Sequence, residues 1–100
     1  MNPETSVAFD TTSERASAAT DRVREIAEDL ASVLRQSAAT LEHSAMLADE
    51  HARRREQAGH LADALDERTA AQRARHAAQL ARSRAQFISE RARADGRWGS

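Results

Sequence analysis

An all-α fold, a long antiparallel hairpin of two helices, follows from three observations. Apolar residues recur with helical spacing over about eighty residues, with one plausible interruption, at Gln57-Ala58-Gly59-His60. Alanine supplies 23 of the 100 residues and charged residues 31%, which suits exposed, closely paired helices better than a layered domain. The charge is also divided: residues 1–67 carry seven Arg against fourteen Asp and Glu, while residues 68–100 carry eight Arg against Glu90 and Asp95. Two arms of opposite sign are most simply explained by one arm lying against the other.

The first ten residues hold the only proline, Pro3, among polar residues, and read as a disordered tail (residues 1–10). Thr11-Thr12-Ser13-Glu14 has capping-box spacing, so the first helix is expected over 11–58. At 100° per residue Ala27, Leu30, Leu34, Leu41, Ala45, Ala48 and Ala52 fall within about 40° of Val23 and with it form the seam. Ser37-Ala38-Ala39-Thr40 is the weakest stretch, and a three-helix fold would break there. Gly59 lies where a left-handed residue would end the helix, giving a turn over 57–60. The second helix, 61–94, opens with Asp63 and Asp66 near its positive end. Its seam is Ala71, Ala74, Ala78, Ala81, Ala85, Ile88 and Ala92, small residues that let helix axes approach closely. Residues 96–100 form a C-terminal tail, starting at the Gly96 stop.

Folding about Gly59 places residues whose numbers sum to about 119 at equal height. That register sets Arg53 against Asp66, Glu28 against Arg91, Arg24 against Asp95 and Glu50 near Arg68. It also sets Arg35 against Arg84, which opposes it. Arg53-Arg54-Arg55 reads as a solvated turn patch facing Asp63 and Asp66.

The chain lacks cysteine, so disulfides, thiolate metal sites and cysteine nucleophiles are excluded. No run is apolar enough to span a membrane and no basic-then-apolar leader opens the chain; a cytoplasmic protein is expected. All fifteen basic residues are Arg, a mark of GC-rich, bacterial coding. His43 and His76 come to equal height in the hairpin, but both point away from the seams, and no Glu-x-x-His pair is present. Glu42-His43-Ser44 are neighbours on a helix and diverge by 100°, so they form no triad. With no phosphate loop and no concave pocket expected between two helices, neither an enzyme nor a cofactor is predicted.

Two partner surfaces are predicted instead. Ile26, Val33, Thr40 and Leu47 recur every seventh residue beside the first seam, and Leu80 and Phe87 repeat the idea on the second arm. Ile26, Val33, Leu47, Leu80 and Phe87 are the candidate interaction residues. They would be buried if two hairpins paired into a four-helix bundle, or if another helical protein docked. The alternative is phosphate contact by Arg82, Arg84, Arg91, Arg93 and Arg97, with Trp98 stacking on a base. The simpler account of those arginines is neutralisation of the acidic first arm.

In outline, by its length, hairpin and lack of cysteine, the chain resembles the small secreted helical hairpins with a Trp-x-Gly turn. Its own turn reads Ala58-Gly59-His60, its sole tryptophan is Trp98, and it has no Tyr for that family's export motif.

Overall fold

The computed structural model describes residues 3–98, with side chains from Thr11 to Asp95. Two helices make up the fold: α1, Pro3–Gln57, and α2, Leu61–Trp98. They fold back on each other into an antiparallel hairpin of 86 × 15 × 12 Å, with no strand among the described residues. Both helices run past their expected ends. α1 begins at Pro3 rather than Thr11, with proline at a first position where its fixed φ suits the helix. α2 continues through Gly96 to Trp98. Of the expected tails, residues 1, 2, 99 and 100 lie outside the described residues.

The turn is built as the sequence predicts. Gly59 has φ of 81°, and the amide of His60 donates to the Arg55 carbonyl at 2.7 Å while that of Gly59 donates to the Glu56 carbonyl at 3.0 Å. Those two bonds are the Schellman closure, which satisfies carbonyls that the end of α1 leaves open. His60 then serves as the N-cap of α2, its carbonyl accepting the Ala64 amide at 3.0 Å. α1 passes without a break through Ser37–Thr40. There the Thr40 hydroxyl donates to the Gln36 carbonyl at 3.1 Å, so a residue that often competes with helix is satisfied inside one.

Among the described residues every wholly buried one is an alanine. They are Ala31, Ala38, Ala45 and Ala52 on α1 and Ala64, Ala71, Ala78 and Ala85 on α2, each series stepping by seven. Between them lie half-buried residues: Ala27, Leu34, Leu41 and Ala48 on α1, and Glu67, Ala74, Ala81 and Ile88 on α2. The second-arm seam is as expected from the sequence. The first-arm seam differs, because Val23 is 64% exposed and Leu30 48%, and Ala31 and Ala38 take the buried places. A straight-helix wheel drifts about 20° per seven residues, whereas two helices wound round each other hold a seven-residue repeat in contact. Alanine there permits axes near the short end of the 8–10 Å packing range, and a Leu at the same place would hold the arms apart.

Two outcomes follow for stability. A Cβ built on Gly59 meets nothing within 4 Å, so the cost of substitution there is backbone strain alone. Gly59→Val should destabilise the hairpin by about 1–2 kcal/mol, and Gly59→Asn by less; thermal and urea melts read the difference. Ala38→Leu and Ala78→Leu should each cost about 1–3 kcal/mol by overpacking the seam. Equal or higher melting points would place these positions outside the close contact.

Candidate interaction surface

The two long edges of the hairpin differ in chemistry. Residues that immediately follow Leu41 and Ala48 are turned about 100° to one side of the seam, and those that immediately precede Ala31 and Ala38 about 100° to the other. On the first edge stands a ladder of ion pairs: Glu42 with Arg82, Asp49 with Arg75, and Glu56 with Arg68. Each acid lies seven residues before the next while each arginine lies seven after, which antiparallel heptads require. The Arg82 guanidinium grips Glu42 as a fork, Nε donating to Oε1 at 2.7 Å and Nη2 to Oε2 at 3.0 Å. The Arg68 Nε donates to Glu56 Oε1 at 2.8 Å. Arg82's hydrogen bond holds the Glu42 carboxyl below its ordinary value, and Glu42's raises Arg82 in turn.

These rungs differ from the expected pairs. Arg53 with Asp66, Glu28 with Arg91, Arg24 with Asp95 and Glu50 with Arg68 form no ion pairs among the described residues. Equal height is not sufficient for pairing, because the two side chains must also stand on the same edge. Arg24 instead lies 3.9 Å from Asp21 on its own helix. At the turn Arg55 alone of its triplet reaches across, to Asp63 at 3.4 Å and the half-buried Glu67 at 3.6 Å. His60 Nδ1 lies 4.0 Å from Asp63.

The large side chains of the other edge are apolar, with Arg84 and Arg91 among them. Ile26, Val33, Leu47, Leu80 and Phe87 are all exposed, Phe87 at 62% and Ile26 at 61%. Val23 and Leu30, displaced from the seam, join them. A shallow groove of about 470 Å³ brings Leu30 and Leu34 of α1 together with Leu80, Phe87 and Ile88 of α2. It continues toward the open end as a second hollow of about 540 Å³ lined by Val23, Ala27, Phe87, Ile88 and Ala92. A third, of about 530 Å³, lies further along α1 over Val33, Ser37, Thr40 and Leu41. Both arms thus contribute to one apolar face. Met46 and Leu65, each one residue after a seam alanine, are exposed on the ladder side.

The alternative phosphate-contact set does not act as a unit. Arg82 is held by Glu42; Arg84 and Arg91 line the apolar hollows; Arg93 follows Ala92 on the other side; and the side chains of Arg97 and Trp98 lie outside the described residues. Arg84, Arg91 and Arg93 make no ion pair among the described residues. His43, His51, His60 and His76 are exposed, and no group of three His, Asp or Glu among the described residues is arranged to hold a metal. No helix among them is long and apolar enough to cross a membrane. The comparisons are silent on kinship: no protein-family model, curated protein or solved structure matches this chain.

The ladder makes a pH prediction. Glu42 is depressed in the folded state, so its contribution is full above the ordinary carboxyl range and is lost as pH falls through its lowered value. Acid should therefore lower the melting point of the parent more steeply than that of Glu42→Gln, whose rung carries no titrating group. Parallel slopes for the two proteins would show that the rung contributes nothing in solution.

Proposed function

We propose that this chain is a non-enzymatic helical interaction module, working in the cytoplasm by presenting a coiled-coil-like apolar face to a second copy or to another helical protein. One observation carries the reading. Every wholly buried residue of the described hairpin is an alanine, with Leu34, Leu41 and Ile88 half-buried beside them, while Val23, Ile26, Leu30, Val33, Leu80 and Phe87 stand exposed on one face. A Leu- or Phe-sized side chain fully buried is worth about 1.5–3 kcal/mol relative to exposure, so a face of this size is a binding surface by its energetics. Shallow hollows, two of them shared between the helices and edged by Arg24, Arg84, Arg91 and Asp95, suit an amphipathic helix or helix pair.

The nucleic-acid alternative is favoured only by the arginines that make no ion pair, and it is tested directly. Labelled duplex DNA titrated at low and moderate salt should show no saturable binding that weakens steeply with salt. Leu80→Glu with Phe87→Glu should keep the helical circular dichroism of the hairpin, because neither residue belongs to the seam, and should abolish association in sedimentation at high concentration. Saturable, salt-steep duplex binding that survives the double substitution would replace the present reading with the nucleic-acid one.

A further inference from the structure

We infer that the occupant of the apolar face is a second copy of the hairpin, stacked on it antiparallel about a two-fold axis, so that α1 lies on α1 and α2 on α2. The inference rests on the reading of this face as an interaction surface and adds the partner and its orientation. Three features of the face carry it.

The first is the order of large and small residues along α1. Val23, Ile26, Leu30 and Val33 come first, then Ser37, Thr40 and Ser44, then Leu47. The small stretch has a hollow of about 530 Å³ over Ser37 and Thr40. An antiparallel copy centred between Val33 and Ser37 sets Ile26 against Ser44, Leu30 against Thr40 and Val33 against Ser37. Ile26, Leu30 and Val33 then each enter a place left by a small side chain, Val23 meets Leu47 at the ends, and two-fold symmetry makes every such contact twice.

The second is agreement between the arms. Leu80 and Phe87 lie roughly level with Ala39 and Ser32 of α1, taking about 1.5 Å per residue along both arms. Their midpoint is thus at the height where the large-to-small pattern of α1 has its own centre. One axis serves both helices, and it pairs Leu80 with Phe87 of the other copy. A parallel arrangement fits less well, since it stacks α1 on α2 at equal height. Leu30 and Val33 would then meet Phe87, bulk on bulk, and Leu80 alone would enter the hollow over Ser37 and Thr40, where the antiparallel stack makes three large-to-small contacts twice over. The antiparallel stack has costs of its own: Leu80 meets Phe87, Val23 meets Leu47, and Arg84 approaches its own symmetry mate near the axis.

The third is area. From Val23 to Leu47 the face is about 36 Å long at 1.5 Å per residue, and the hairpin is 15 Å across. The footprint is about 540 Å² per copy, or about 1,100 Å² for the pair, and accessible area over projecting side chains exceeds a flat footprint. That is the scale at which specific protein interfaces begin, about 1,200 Å² in total. The ion-pair ladder stays on the outer edges of such a dimer, where its charges remain solvated.

The chain has no cysteine, so single labelling sites can be introduced cleanly. Gln57→Cys carries a spin label at the exposed end of α1, and the protein is measured across micromolar to millimolar concentrations by sedimentation and by electron–electron resonance. The antiparallel dimer places the two labels about 60–70 Å apart, from twenty-two residues on either side of the axis at about 1.5 Å each. A second variant, Leu30→Cys with Thr40→Cys, should give a disulfide-linked dimer on mild oxidation far faster than either single cysteine. Labels within about 30 Å, at the width of two stacked hairpins rather than their length, would establish the parallel stack and overturn the orientation. A chain that sediments as an 11.0 kDa monomer throughout would overturn the second copy as occupant. It would leave the interaction reading to another helical protein, a failure distinct from that of the reading itself.

Discussion

The contact between alanines on facing helices is the constraint on which the rest of this molecule depends. Alanine loses no rotamer freedom on burial, and its single methyl lets the backbones approach, so the seam is made of dispersion contact more than of transferred area. A seam so narrow takes large side chains only half-buried, as Leu34, Leu41 and Ile88 are. Val23 and Leu30, which a wider interface would have absorbed, are turned out beside it. The apolar face is therefore a product of the seam.

Electrostatics divides the remaining surface. Three acid–arginine rungs occupy one edge, and the opposite sign of the two arms is spent there and at the turn. Exposed pairs of this kind contribute little stability each, and their main effect is on orientation. A hairpin slipped by one heptad would keep alanine on alanine, but it would set Glu42 against Arg75 and leave Arg82 without an acid. The ladder thus selects the register that the seam alone leaves open, while the Schellman closure at Gly59 fixes the same register from the turn.

Much of this architecture was legible in the residues, and the exceptions have physical causes. Gly59 after a helical run announced the turn, and the spacing of Ala71, Ala74, Ala78, Ala81 and Ala85 announced the second seam. The first seam was misread at Val23 and Leu30 because larger residues were weighted over alanine on a straight wheel. Ala31, Ala38, Ala45 and Ala52, at intervals of seven, were the available signal. The ladder was equally open to view as Arg68, Arg75 and Arg82 against Glu42, Asp49 and Glu56. Height alone does not pair charges, because the edge on which each side chain stands also decides. The candidate interaction residues share one face because they inherit the same seven-residue repeat.

Hydrogen exchange resolved along the chain tests the central claim most directly. If the alanine seam holds the arms together, amides from Ala31 to Ala52 and from Ala64 to Ala85 exchange slowly and cooperatively. Residues 11–18, which lie beyond the last hollow shared with α2, then exchange quickly although they are helical in the same continuous α1. Protection that is uniform along α1, or absent from the alanine stretches, would contradict a fold held by that seam.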